Sequence, residues 1–98
     1  MRLSSKEKKT ICAVLHHSFG DQAKIWLFGS RLDDSLKGGD VDLYIETPLK
    51  TGLLDAKIQA KVALYHALHH TPVDLVVRKL SQPMAGIHKI ARSEGISL

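Results

Sequence analysis

Asp40-Val41-Asp42-Leu43-Tyr44-Ile45-Glu46 places Val41, Leu43 and Ile45 at every second position and Asp40, Asp42, Tyr44 and Glu46 between them. That is the period of a β-strand with one apolar face and one acidic face. Residues two apart on a strand point the same way, so Asp40 and Asp42 aim two carboxylates at one spot. A further carboxylate, Asp74, interrupts Pro72-Val73-Asp74-Leu75-Val76-Val77, a run that otherwise reads as a buried strand. An ionised group in such a strand is costly unless it is paired or bound to a metal. Three converging aspartates, Asp40, Asp42 and Asp74, therefore predict a divalent-cation site. The rival reading makes the first two the polar face of an edge strand and pairs Asp74 with Arg78 or Lys79.

Upstream, Lys24-Ile25-Trp26-Leu27-Phe28 reads as a strand that ends at Gly29-Ser30, with a turn or short helix opening near Arg31 and Leu32. Glycine permits close backbone approach, and a serine at a helix start adds a hydroxyl to free amides that attract an anion. This corner is suited to phosphate. Arg31 would either touch a nucleotide phosphate or stand exposed at the helix start, and Lys37, in the loop from Asp33 to Gly39, poses the same choice. Acidic metal ligands beside a phosphate corner fit two-metal phosphoryl transfer.

The rest of the chain supplies a frame. Ser4-Ser5-Lys6-Glu7 is a capping-box pattern, and Ile11, Val14, Leu15 and Phe19 recur at helical spacing, which predicts a helix from about Ser5 to Ser18. Leu54, Ile58, Val62, Tyr65 and Leu68 stripe one face of a second helix, stopped near His70 by Thr71-Pro72. A strand over Val73 to Arg78 follows, and Pro83 opens a last helix carrying Met84, Ile87, Ile90 and Ala91 and closed by Gly95. Strands alternating with helices imply an α/β fold, a small mixed β-sheet packed by helices.

At 98 residues and 44% hydrophobic content, the chain is expected to form a single domain over residues 1–98, with no room for a second, substrate-binding unit. Fourteen Lys and Arg against ten acids give a net charge of +4, which suits a phosphate-bearing ligand or an acidic partner. The lone Cys12 excludes an internal disulfide and fits a small core residue in a reducing compartment. Met1-Arg2-Leu3-Ser4-Ser5-Lys6 has no apolar signal region and no apolar run reaches membrane length, so a cytoplasmic location is expected. His66 and His70 stand four apart on the second helix, but no third ligand completes a zinc motif.

Phe28-Gly29-Ser30-Arg31, a glycine-containing loop, Asp40-Val41-Asp42-Leu43 and a later strand aspartate resemble the nucleotidyltransferase superfamily that includes DNA polymerase β. The size resembles its smallest branch, the minimal nucleotidyltransferases. The resemblance implies the palm-like fold of that superfamily and ATP or another NTP with its phosphates at Gly29, Ser30 and Arg31. It also implies two Mg²⁺ ions, or Mn²⁺, on Asp40, Asp42 and Asp74, and transfer of a nucleoside monophosphate, AMP from ATP, to a hydroxyl. Members of this branch are often paired with a helical HEPN-domain toxin and act as its antitoxin, some by transferring AMP to a toxin tyrosine. Two readings from other classes stay open: a non-catalytic antitoxin that acts by occupying its partner, and a basic nucleic-acid-binding module. The second lacks the interleaved aromatics such surfaces use, since Trp26, Phe19, Phe28, Tyr44 and Tyr65 are the only ones and most fall on expected core faces.

Overall fold

The computed structural model describes residues 4–29 and 41–98. Helix α1 spans Ser5–Phe19 and begins with the expected capping box. Ser4 Oγ accepts from the Glu7 amide at 3.1 Å, and the Glu7 carboxylate accepts from the Ser4 amide at 2.9 Å. These bonds satisfy amides that have no partner within the helix. Strand β1 is Lys24–Phe28, β2 is Val41–Thr47, α2 is Leu53–Ala67, β3 is Val73–Lys79, α3 is Gly86–Glu94 and β4 is Ile96–Ser97. The four strands form one sheet in the order β3-β2-β1-β4. β1 runs antiparallel to β2 and to β4, whereas β2 and β3 are parallel and joined through α2. The mixed α/β sheet packed by helices is thus present, with β4 an addition that its two residues gave no period to reveal.

One sheet face carries the main core. Ile11, Leu15 and Phe19 of α1 and Ala56, Ala60 and Leu64 of α2 pack on Ile25, Leu27, Val41, Leu43, Ile45, Val73 and Leu75. Each large side chain fully buried here contributes about 1.5–3 kcal/mol. Thr47 Oγ1 donates to the Phe19 carbonyl at 2.7 Å, which fastens the end of α1 to the end of β2. Cys12 packs against this core, and burial pushes its thiol pKa up.

Among the described residues, α3 covers only part of the opposite face. Trp26, Tyr44 and Ala91 form a second cluster under α3, joined by Phe28 and Val76. Two expectations change here. Tyr44 and Glu46 share the polar side of β2 with Asp42, yet both are buried, because α3 lies over that end of the strand. On α2 the residues that pack inward are alanines and leucines on another face, and Leu54, Ile58, Val62 and Tyr65 are 70%, 54%, 53% and 41% exposed. Small residues let a helix approach its neighbours closely, so Ala56 and Ala60 face the core and the bulky stripe faces out. Leu68 alone of that stripe is buried. The last helix begins at Gly86 rather than at Pro83; there the Ala85 amide donates to His88 Nδ1 at 3.0 Å.

Candidate functional site

Parallel pairing of β2 and β3 sets Val41 opposite Val73, Asp42 opposite Asp74 and Glu46 opposite Arg78. Side chains alternate along both strands, so Asp42 and Asp74 stand side by side on the face away from the main core. Neighbouring strands lie only about 4.8 Å apart, so the two aspartates are cross-strand neighbours, with the Asp42 carboxylate against Gly29 and the Asp74 carboxylate toward Lys61. Asp42 is half-buried and Asp74 is exposed. Asp74 therefore does not sit in a buried strand: β3 is an edge strand, and its outer face is open at this end. Nor does Asp74 pair with Arg78. Its ion pair is with Lys61 of α2, Nζ to Oδ1 at 3.9 Å, with both side chains more than half exposed. A pair that long and that wet contributes little to stability.

Gly29 forms the third wall. It follows Phe28, which is registered against Asp42, and has φ of +83°, in the region that favours glycine. A Cβ built on Gly29 would collide with the carboxylate of Asp42. The glycine thus serves two purposes, allowing the turn out of β1 and leaving space for the Asp42 side chain. The sequence reading made Gly29 a point of close approach for a phosphate; the group that lies against it here is the Asp42 side chain. Ser30, Arg31, Lys37 and Asp40, also singled out from the sequence, lie outside the described residues.

Farther along the same face the chemistry changes. Glu46 is 2% exposed, and its carboxylate accepts from Arg78 Nη2 at 2.9 Å, from the Tyr44 hydroxyl at 2.7 Å and from Arg92 Nη1 at 3.4 Å. Arg78 Nε also donates to the Tyr44 hydroxyl at 2.9 Å, and its Nη1 donates to the Gln82 carbonyl at 2.6 Å. Burial alone would raise the pKa of Glu46, but the hydrogen bonds from Arg78 and Tyr44 and the charges of Arg92 and Arg78 outweigh it and hold the carboxyl below its usual range. The Arg78 guanidinium is pushed up, first by its hydrogen bond to Glu46 and then by that to Tyr44. Burial raises the Tyr44 phenol. Above this network, His88 stacks on Tyr44 at 5.6 Å and Arg92 lies over Trp26 at 5.4 Å. Glu46 is a structural acid, complete in itself.

The donor set at the open end fits a hard divalent cation. Carboxylate oxygens are the ligands such ions take. Asp42 and Asp74 are the two carboxylate residues that the β2–β3 register sets opposite each other, and among the described residues no group of three or more His, Cys, Asp or Glu is placed to hold a metal. Sequence reasoning missed Lys61, whose approach to Asp74 arises from the packing of α2 beside β3 and has no local signal. It also missed a groove of about 420 Å³ between α2 and the edge strand, lined by Lys61, Val62, Tyr65, Pro72 and Asp74. No protein-family model matches the chain, and no curated protein matches it. Among the described residues no helix is long and apolar enough to cross a membrane.

Proposed function

We propose that this chain is a metal-dependent nucleotidyltransferase of the minimal type, with the palm-like fold of the polymerase β superfamily. The observation that carries the reading is the register of Asp42 against Asp74 beside Gly29, on the open end of a face whose other end is closed by α3. Two carboxylate-bearing residues stand on neighbouring strands with Asp74 open to water, a placement that suits a cation site.

ATP or another NTP would bind with its phosphates at Gly29, Ser30 and Arg31. Asp42 and Asp74, with Asp40, would hold Mg²⁺ or Mn²⁺, which when bound neutralises the phosphate oxygens and favours ionisation of the acceptor hydroxyl. Asp74, the more exposed of the described pair, would take the proton of that hydroxyl. The acceptor oxygen then bonds to the α-phosphorus, the α–β phosphoanhydride bond breaks, and pyrophosphate leaves with the bonding electrons. By the same resemblance the acceptor would be a tyrosine of a helical HEPN-type toxin and this chain its antitoxin.

The test uses ATP labelled at the α- or the γ-phosphate, with a HEPN-type toxin as acceptor. Label at the α-position should become covalently attached to that protein and survive denaturation, and label at the γ-position should not transfer. Neutralisation of the toxin by an Asp42→Asn variant, with no mass added to it, would instead establish inhibition by occupation.

A further inference from the structure

The outward row on α2 is the largest feature that the proposed chemistry leaves unused. Leu54, Ile58, Val62 and Tyr65 follow one another at helical spacing, each at least two-fifths exposed, and Val62 and Tyr65 continue into the groove that ends at Asp74. Scattered exposed apolar residues need no explanation, but a continuous ridge of four leading into a groove marks an interaction surface. At 100° per residue, Lys57 and Lys61 fall along one border of the ridge and Asp55 and His66 along the other. The lysine border is the one beside the sheet edge, since Lys61 reaches Asp74.

This arrangement disfavours one occupant, an antiparallel second copy. If a second copy packed its α2 antiparallel on this one about a two-fold axis, each border would meet the same border of the other copy, and Lys57 and Lys61 would face Lys57 and Lys61. The net charge of +4 on each copy adds to the repulsion. An apolar helix bordered by carboxylates on that side meets no such penalty, and ridge-into-groove packing against α2 would bury the four side chains. The geometry points to α2 as the docking surface for an amphipathic helix of a partner protein, apolar on its contact face and acidic along the border that meets Lys57 and Lys61. That helix would run toward Asp74. Only this last point, delivery of an acceptor to the carboxylates, rests on the nucleotidyl-transfer reading.

The probe is a synthetic fluorescein-labelled helix with leucines at i, i+4, i+8 and i+11 and glutamates along both borders, compared with a twin whose borders are lysines. Fluorescence anisotropy should show the glutamate form binding about fivefold tighter, a difference that Lys57→Glu with Lys61→Glu reverses. Val62→Asp should weaken binding about thirtyfold, and Val62→Ser several-fold, with thermal melts confirming that both variants fold. Asp42→Asn should leave peptide binding unchanged, so that loss of transfer with intact docking removes the catalytic reading alone. Equal binding of the two peptides, or binding indifferent to Val62→Asp, would overturn the proposal. So would a concentration-dependent dimer in sedimentation that Val62→Asp dissolves, because a second copy would then cover the ridge.

Discussion

Strands β2 and β3 pair charged residues twice on one face: Asp42 against Asp74, and Glu46 against Arg78. The second pair is opposite in sign, buried under α3, and knitted to Tyr44 and Arg92. The first is like in sign and lies where the cover ends. The backbone is the same in both places, so the position of α3 decides the difference. Where the helix excludes water, a carboxylate is stable only with its donors supplied by the protein. Where it does not, a carboxylate can stay in contact with water, as Asp74 does beside Lys61. An acid on this face is buried or exposed according to what lies over it, and its place in the alternating sequence pattern does not tell the two apart.

The largest effect should come from breaking the covered pair. Arg78→Leu leaves Glu46 buried without its main donor and should destabilise the fold by about 3–5 kcal/mol in urea unfolding; a loss under about 1 kcal/mol would mean that Arg92 and Tyr44 suffice. Acid should reach the same network more gently. Because the Glu46 pKa is lowered on folding, its contribution is complete above the unfolded carboxylate value of about 4.3 and is lost as pH falls through the lower folded value. Thermal melts below about pH 4 should therefore show a drop that is smaller in Glu46→Gln, measured relative to that variant's own neutral-pH stability.

Gly29→Ala comes next. It combines a positive φ with a Cβ that meets the Asp42 carboxylate, so a loss of about 1–3 kcal/mol is expected, together with displacement of Asp42. If Asp42→Gly in the same background leaves that loss unchanged, the strain is in the backbone alone; relief on pairing with Asp42→Gly would locate it in the side-chain contact.

Much of this frame can be read from the chain. The capping box at Ser4 and Glu7, the strand ending at Phe28, and the alternation from Val41 through Ile45 each carry a local signal, and the structure places all three where that signal points. The failures are non-local. Tyr44 and Glu46 look identical in pattern to Asp42 because nothing in β2 records that a helix forty residues later will lie over them. The stripe from Leu54 to Tyr65 looks like a core face because it is bulky, whereas close packing against α1 and the sheet selects Ala56 and Ala60. Asp74 looks costly within an apolar run until strand order puts β3 at the edge. At the site itself, the spacing of Asp42 and Asp74 to Gly29 was legible only as a motif; that the two stand opposite one another is a property of the β2–β3 register.

The smallest expected change in stability carries the most information. Asp42→Asn keeps the shape of the side chain while removing one of two adjacent like charges, so urea unfolding should place the variant within about 0.5 kcal/mol of the parent or slightly above it. Calorimetry on the same preparation is the direct test of the central claim. The parent should bind ATP in Mg²⁺ and lose that binding in excess chelator, and Asp42→Asn should fail to bind in either condition. Binding of equal affinity with and without chelator, in a variant that has also lost several kcal/mol of stability, would show that the Asp42–Asp74 pair belongs to the fold and not to a metal–nucleotide site.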